Sequence, residues 1–193
     1  MPTPDKPEAI VLAGPNGAGK TTVSPKFLGP DIEFVNADII GAELRTANPD
    51  VKGADFTAGR IVSARLSALA SQRQSFCFET NLASSGLLGR IQRLETAGYH
   101  TNLIFVALPD VETALARVAA RVIAGGHHIP EETVRRRFKA GLHYFFTTYR
   151  FRVNEWSLWD NSNDKPVLVA DSENQIDTIY DPQRWDHLAN LGT

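Results

Sequence analysis

The chain has 193 residues, of which 42% are hydrophobic and 22% are charged, a composition typical of a globular domain with a substantial core. Its formal net charge of −2 excludes a broadly basic surface, so we expect neither nucleic acid nor an anionic membrane among its partners. The single cysteine, Cys77, excludes an internal disulfide, and the sequence shows no signal peptide and no bilayer-spanning apolar run, so we expect a cytoplasmic protein.

Short apolar runs alternate along the chain with segments that have helical spacing. Runs bounded by turn residues are typical of buried strands, and five are predicted here: 9–13, 32–35, 75–78, 102–108 and 166–170. Helices are predicted at 21–27, 39–44, 61–70, 87–94, 111–123, from Pro130 onward, and near 182–190. The alternation predicts one α/β domain over residues 1–193, with a mainly parallel sheet flanked by helices.

The segment VLAGPNGAGKTT, residues 11–22, lies between the first predicted strand and the first predicted helix. It matches the phosphate-binding pattern G-x-x-x-x-G-K-[ST], in the strand–loop–helix context that this loop requires. Glycines allow backbone N–H groups to converge on a phosphate, while Lys20 would reach the β- and γ-phosphates and Thr21 would bind Mg²⁺. The predicted nucleotide-binding residues are Gly14, Pro15, Asn16, Gly17, Ala18, Gly19, Lys20, Thr21 and Thr22.

Missing motifs exclude two classes of phosphate-loop protein. The chain has no LSGGQ-type signature of an ABC transporter ATPase and no N-K-x-D guanine motif of a GTPase. The segment DIIG, residues 38–41, resembles a GTPase D-x-x-G motif but has no guanine-reading partner. The remaining class is a small P-loop NTPase of the kinase type, which uses ATP and Mg²⁺ and passes the phosphoryl group to a bound acceptor.

Two acidic residues follow predicted strands, where ligands of open α/β sheets bind. Asp38 follows the second strand and is predicted to orient or deprotonate an acceptor hydroxyl. Glu79 follows the third strand and is predicted to hold Mg²⁺ or to bind substrate. The alternatives are that Asp38 caps the following helix and that Glu79 is a solvated loop acid. The polar neighbours assigned to the same substrate site are Asn36, Thr80 and Asn81.

An arginine-rich segment, ARVAARVIAGGHHIPEETVRRRF, spans residues 116–138. Arg117 and Arg121 share a helix face, Gly125 and Gly126 end that helix, and Pro130 begins the next one. This arrangement predicts a two-helix lid at about residues 117–137.

The lid arginines are predicted to act on the transferred phosphoryl group, because an arginine stabilises the charge that spreads over its oxygens. Arg121 and Arg137 are assigned to catalysis and Arg117 to substrate binding; the alternative is that all are solvated helix residues. His127 and His128 have no cysteine or second histidine pair nearby, so no metal site is predicted there.

Six segments together resemble a known family. VLAGPNGAGKTT, NAD, FETNL, AGYHTNLIFVAL, RVAARVIAGGHHIPEETVRRRF and WDNS occur in that order between residues 11 and 162. The ordered set is similar to the zeta toxin family of P-loop kinases, and in particular to its predicted-ATPase branch among chromosomal bacterial proteins.

The resemblance implies a five-stranded parallel P-loop kinase sheet and the chemistry of the toxin members, which use ATP and Mg²⁺ to phosphorylate a sugar hydroxyl of UDP-N-acetylglucosamine. It implies that Lys20 holds the phosphates, Thr21 binds Mg²⁺ and Asp38 is the base. Glu79 would lie in the acceptor pocket, and lid arginines would hold the γ-phosphate. A small antitoxin protein that blocks the nucleotide pocket is the partner implied for a toxin.

Two segments depart from this pattern or leave its meaning open. The lid reads GGHHIP, with His127 where the family carries an arginine, so the second lid arginine is not identified. The segment WDNS, residues 159–162, is assigned either to the adenine site or to the structure of the domain.

Three functions are compatible with these motifs. The first is an ATP-dependent kinase of a small molecule, such as a sugar nucleotide. The second is a switch protein that binds and slowly hydrolyses ATP and acts through a partner. The third is a polynucleotide kinase, which the net charge of −2 disfavours.

Overall fold

The computed structural model describes residues 6–48, 52–126, 128–163 and 165–193. Within these ranges one sheet contains the strands β1 (Glu8–Ala13), β2 (Glu33–Val35), β3 (Phe76–Thr80), β4 (His100–Ala107), β5 (Glu155–Asp160), β6 (Val167–Glu173) and β7 (Ile176–Ile179). Their order across the sheet is β2-β3-β1-β4-β5-β6-β7. The first five in this order are parallel, whereas β6 pairs antiparallel with β5 and β7. The predicted α/β fold with a mainly parallel sheet is therefore confirmed.

The predicted number of five strands is wrong, because the described residues contain seven. Strand β5 is not among the predicted strands. Its Trp156, Leu158 and Asp160 are buried and alternate with half-buried residues. This period of two is typical of a strand with one covered face, and it contains no continuous apolar run. The fifth predicted strand, 166–170, corresponds instead to the antiparallel strand β6.

The second unanticipated strand, β7, forms a hairpin with β6. Asn174 and Gln175 form its two-residue turn with φ of 52° and 65°, as the twist of a tight hairpin requires. All four residues of β7 are exposed, so the strand gives no signal of burial in the sequence.

Helices connect these strands, and in the described ranges they are α1 (Lys20–Phe27), α2 (Ala37–Ala47), α3 (Ala54–Ser71), α4 (Leu88–Thr96), α5 (Val111–Ile123), α6 (Glu131–Thr147) and α7 (Pro182–Leu191). All seven predicted helices are confirmed, although α2 and α3 extend beyond their predicted bounds. Asp110 caps α5, since its carboxylate accepts a hydrogen bond from the Thr113 N–H at 2.7 Å. No helix within the described residues is long and apolar enough to cross a bilayer.

The sheet brings the polar loops of the protein to one edge. Strands β1 and β4 are central and almost entirely buried, which is typical of a parallel sheet covered on both faces. Because β1, β2, β3 and β5 are parallel, their following loops leave the same edge of the sheet. These loops carry Gly14, Asn36, Asn81 and Asn161, so residues far apart in sequence meet there.

Cys77 in β3 is expected to be inert toward thiol reagents. It is fully buried, and burial raises the pKa of its thiol from 9.0 to about 12 because the thiolate loses its hydration. A higher pKa means that the reactive thiolate is scarcer at any pH below about 12. We expect a disulfide reagent at pH 8 to modify the unfolded chain at least about 10³-fold faster than the native chain. Equal rates of modification for the native and the unfolded chain would contradict the burial of Cys77.

Candidate active site

The loop between β1 and α1 has a backbone shape that depends on glycine. Gly14 has φ of 141° and Gly17 has φ of 80°, a region that residues with a side chain rarely adopt. Space is also lacking, because a Cβ at Gly14 would lie 2.1 Å from the Val106 carbonyl oxygen, and one at Gly17 would lie 2.7 Å from that of Ala114. The loop therefore packs directly against the backbone of β4 and α5. We call residues 14–21 the phosphate loop.

Gly14→Ala is expected to destabilise the protein by about 3 kcal/mol or more, because the clash is with backbone atoms of a central strand and the φ is unfavourable. Gly59→Ala, in the interior of α3, is the matched control. A Cβ at Gly59 meets no atom within 4 Å, so this change should stabilise the helix by about 0.5–1 kcal/mol. Denaturant unfolding of both variants measures the difference; the same free energy of unfolding for the two would contradict the close packing of the loop.

Lys20 is the buried cation of the loop, with a relative exposure of 5%. Its Nζ donates hydrogen bonds to the Gly14 and Pro15 carbonyl oxygens at 2.8 and 3.0 Å, and it lies 3.3 Å from Oε1 of Glu79. Burial lowers the pKa of Lys20 below its ordinary value, and the Glu79 carboxylate opposes that shift. The ammonium group is thus held inside the loop, where the phosphates of a nucleotide would lie.

Glu79 connects the phosphate loop to the neighbouring strands. It lies near the end of β3, and its Oε2 accepts hydrogen bonds from the Thr21 hydroxyl at 2.9 Å and from the Asn36 amide at 2.7 Å. With the ion pair to Lys20, both carboxylate oxygens are engaged. The alternative of a solvated loop acid is wrong, because Glu79 is only 13% exposed and organises three polar side chains.

Asn36, and not Asp38, caps helix α2. The Asn36 Oδ1 accepts hydrogen bonds from the Asp38 N–H at 2.7 Å and the Ile39 N–H at 3.4 Å, as an N-cap side chain does. The alternative in which Asp38 is the cap is therefore wrong. Asp38 lies in the first turn of α2 with an exposed side chain, and its carboxylate makes no hydrogen bond or ion pair with a described residue. It remains available for a ligand.

The first of two cavities at this edge has a volume of about 300 Å³. We call it the phosphate-loop cavity; it is lined by Asn16, Gly17, Gly19, Lys20, Thr21, Thr22, Asp38, Glu79, Arg117 and Arg121. Two lid arginines therefore face the phosphate loop. Arg121, assigned to catalysis, and Arg117, assigned to substrate binding, both line this cavity. Arg117 also donates a hydrogen bond from Nη2 to the Ser162 carbonyl oxygen at 3.0 Å.

The second cavity has a volume of about 440 Å³ and is lined in part by residues of the predicted lid. We call it the lid cavity; it is lined by Ala37, Asp38, Asp55, Asn81, His128, Ile129, Pro130, Thr133 and Arg137. Arg137 also donates a hydrogen bond from Nη1 to the Asn16 Oδ1 at 3.3 Å, so it connects the lid cavity to the phosphate loop. Asp38 lines both cavities, and it is the residue through which they meet.

Two residues assigned to the substrate site, Asn36 and Thr80, line neither cavity. The Thr80 hydroxyl instead accepts a hydrogen bond from the Leu82 N–H at 3.1 Å. Arg135 of the lid forms ion pairs with Glu112 at 2.7 Å and Glu131 at 2.8 Å, so it joins α5 to α6. His127, where the family pattern has an arginine, lies outside the described residues.

The segment WDNS contains a contact that the sequence did not reveal. The Asn161 side-chain amide donates a hydrogen bond to the Ala18 carbonyl oxygen at 2.8 Å, and Trp159 and Asp160 are the last residues of β5. WDNS thus makes a structural contact with the phosphate loop. Because β5 was not among the predicted strands, the sequence alone could not place Asn161 at the end of a parallel strand, where ligand-facing loops begin.

Comparison with known proteins identifies the family. The family model described as Zeta toxin matches residues 1–164. The chain belongs to the zeta toxin family. This membership and the kinase-like site support a P-loop kinase, which is a phosphotransferase. Strands β6 and β7 and helix α7 lie beyond the matched residues of this zeta toxin family protein.

One curated protein and two solved structures illustrate what this zeta toxin family protein is similar to. An uncharacterized protein of Haemophilus influenzae is 31% identical over 132 residues, which cover 68% of this chain and 92% of the relative. A chain in the crystal structure of AvrRxo1-ORF1:-ORF2 with ATP matches 97% of this chain with a TM-score of 0.79 and 18% identity, and this chain spans only 65% of its length. A structure of the PezAT chromosomal toxin-antitoxin system of Streptococcus pneumoniae matches 98% of this chain and 79% of its own chain, with a TM-score of 0.66 and 20% identity. At these identities the two structures establish the P-loop kinase-like fold.

Proposed function

We propose that this protein is an ATP-dependent kinase that transfers the γ-phosphoryl group to a hydroxyl of a small molecule held in the lid cavity. The observation that carries the proposal is that Asp38 lines both cavities, with the phosphate loop on one side and the lid on the other. A group transferred from nucleotide to acceptor must pass between two such sites. A switch protein that only hydrolyses ATP needs no second cavity adjoining the first.

The phosphate-loop cavity supplies the groups that ATP requires. Backbone N–H groups of the loop and the Lys20 ammonium are donors for phosphate oxygens, and Arg121 lies in the same cavity. The AvrRxo1-ORF1:-ORF2 structure with ATP, which shares this fold, supports ATP as the nucleotide. Binding would move Lys20 from the Gly14 and Pro15 carbonyl oxygens toward the phosphates.

The Thr21 hydroxyl and the Glu79 carboxylate, 2.9 Å apart, are residues that would hold Mg²⁺. Both supply oxygen atoms, which this hard cation prefers, and a single hydroxyl and carboxylate leave room for phosphate and water ligands. When bound, Mg²⁺ neutralises charge on the phosphates. Asn36 donates to the same Glu79 oxygen and would keep the carboxylate oriented.

Asp38 is proposed to orient the acceptor hydroxyl and to take its proton as the hydroxyl oxygen bonds to the γ-phosphorus, while the bond from that phosphorus to the β,γ-bridging oxygen breaks and ADP leaves. Its carboxylate is exposed and lies at the junction of the cavities, where the hydroxyl must be placed. Arg121 and Arg137 would stabilise charge on the transferred group from opposite sides, since one lines each cavity.

The lid cavity fits a polyhydroxylated acceptor such as a sugar nucleotide. Its wall has carboxylates, an amide, a hydroxyl and a guanidinium, namely those of Asp38, Asp55, Asn81, Thr133 and Arg137, with Ile129 and Pro130 as apolar surface. Such mixed walls bind ligands that combine hydroxyl groups with a flat apolar face. UDP-N-acetylglucosamine, the acceptor implied by the zeta toxin resemblance, is the first compound to test.

Mass spectrometry of reactions containing the protein, ATP, Mg²⁺ and UDP-N-acetylglucosamine tests this proposal. We expect a sugar nucleotide that carries one additional phosphoryl group, and no such product when the acceptor is omitted. A panel of other sugars and nucleosides identifies a different acceptor if this one fails. Release of inorganic phosphate alone, with every acceptor in the panel unchanged, would contradict a kinase and favour the switch protein.

An antitoxin protein is the proposed partner. The PezAT structure comes from a toxin-antitoxin system and shares this fold, and the phosphate-loop cavity opens to the protein surface. A protein that covers this cavity would prevent ATP binding. Slowed growth of a bacterial host that expresses the wild-type chain but not Lys20→Met would support a toxin, and equal growth would contradict it.

A further inference from the structure

Asn161 links the end of β5 to the phosphate loop across 143 positions of sequence. Its backbone N–H donates to the Ala107 carbonyl oxygen at 3.0 Å, which fixes it beside the end of β4. Its side-chain Nδ2 donates to the Ala18 carbonyl oxygen at 2.8 Å. Both residues are buried, with Asn161 8% and Ala18 0% exposed, so water does not compete for this hydrogen bond. A carbonyl oxygen can only accept, so the amide nitrogen must face it.

This hydrogen bond fixes the direction of the next N–H group of the loop. In a trans peptide the C=O of one residue and the N–H of the next point in opposite directions. Because the Ala18 oxygen points toward Asn161, the Gly19 N–H of the same peptide points away from Asn161. Gly19 lines the phosphate-loop cavity. Gly17 and Gly19 have φ of 80° and 78°, and the freedom of glycine makes rotation of the intervening peptides inexpensive. The hydrogen bond from Asn161 therefore restricts rotation of the peptide between Ala18 and Gly19.

A second layer holds Asn161 in place. The Asp160 side chain is 7% exposed; its Oδ1 accepts hydrogen bonds from the Ser162 N–H at 2.9 Å and from the Ser162 hydroxyl. Its Oδ2 lies 3.1 Å from Nε of Arg184 on α7. Arg184 also lies 3.4 Å from Asp181, whose side chain caps α7. The carboxylate thus fixes the turn that contains Asn161 and ties it to the C-terminal helix.

We propose that Asn161 is a positioning residue for phosphate binding, and that Asp160 and Arg184 couple helix α7 to the phosphate loop. We call these three residues the C-terminal brace. The inference rests on the proposed use of the loop to bind ATP. It assigns a role in that site to α7, which lies beyond the residues that the family model matches.

Amide hydrogen exchange of the nucleotide-free protein tests the positioning role without assuming any ligand. Asn161→Ala should speed exchange in a peptide that covers residues 14–20 by about tenfold, while peptides from β1 and β4 keep their wild-type rates. Asn163→Ala is the matched control, because Asn163 is an exposed asparagine two residues away. Unchanged exchange in residues 14–20 of Asn161→Ala would overturn the proposal, and acceleration throughout the chain would show general destabilisation instead and overturn it equally.

Calorimetry with ATP and with adenosine then separates positioning from simple structural loss. Asn161→Ala removes the donor, and Asn161→Asp places a carboxylate oxygen against the Ala18 carbonyl oxygen, so that two acceptors face each other. Both variants should bind ATP about tenfold more weakly. Their affinity for adenosine should be unchanged, since adenosine has no phosphate. Arg184→Gln should weaken ATP binding in the same direction by about threefold, while Arg60→Gln, an exposed arginine on α3, should have no effect. An equal loss of affinity for ATP and for adenosine would contradict a positioning role for Asn161. Failure of the wild-type protein to bind ATP would contradict the proposed function, and the exchange result would still decide the role of Asn161.

Discussion

Asp38→Asn is expected to reduce phosphoryl transfer by about 10²–10⁴-fold, while the affinity for ATP changes by less than about threefold. Asparagine keeps the shape of the side chain and can still contact the acceptor, but it cannot take the proton of the hydroxyl. Asp38 is exposed and is not part of the cap of α2, which Asn36 provides, so the fold should be unaffected. Single-turnover transfer and calorimetric ATP binding measure the two quantities separately.

Asp31→Asn is the matched control for Asp38→Asn, because Asp31 is an exposed aspartate before β2 and lines neither cavity. It should transfer phosphate at the wild-type rate. If Asp38→Asn retained wild-type transfer, the base would have to be another group. If it instead lost ATP binding, Asp38 would serve the nucleotide and the two-cavity interpretation would be wrong.

Lys20→Met is expected to weaken ATP binding by about 10²-fold, because the ammonium makes charge-assisted hydrogen bonds to phosphate oxygens in a poorly hydrated loop. Methionine fills a similar volume, and Asn36 and Thr21 still donate to the Glu79 carboxylate that loses its cation. Calorimetric titration with ATP and Mg²⁺ gives the affinity, and thermal unfolding shows whether the variant remains folded.

Lys26→Met provides the comparison for Lys20→Met. Lys26 is an exposed lysine in the last turn of the same helix, α1, so ATP binding by this variant should equal that of the wild type. An equal loss in both variants would indicate nonspecific attraction of ATP to positive charge. Wild-type affinity in a folded Lys20→Met variant would exclude the phosphate loop as the ATP site.

The sequence predicted the phosphate loop and its neighbours well because their positions follow from local rules. The spacing of Gly14, Gly19 and Lys20 defines the loop, and the parallel sheet places the ends of β2 and β3 beside it. Asp38 and Glu79 could therefore be placed near the loop before the structure was known. Their separate environments could not be predicted, because these depend on Asn36, which caps α2 and also contacts Glu79.

The C-terminal brace and the different positions of the lid arginines depend on packing between segments that are far apart in sequence. The contact from Asn161 to Ala18 requires β5. Buried and half-buried residues alternate along this strand, without a continuous apolar run, and the strand was not predicted. The five arginines of the predicted lid look equivalent in sequence. Only the packing of α5 against α6 places Arg117 and Arg121 in the phosphate-loop cavity, Arg137 in the lid cavity and Arg135 in surface ion pairs.

A crystal structure with Mg²⁺ and a non-hydrolysable ATP analogue would show whether the nucleotide lies in the phosphate loop with its γ-phosphate beside Asp38. We expect the β-phosphate oxygens to accept hydrogen bonds from loop N–H groups, including that of Gly19, and Lys20 to contact the phosphates. We also expect the γ-phosphate to point past Asp38 into the lid cavity. A triphosphate bound elsewhere, or one whose γ-phosphate faces bulk solvent away from Asp38, would contradict transfer between the two cavities.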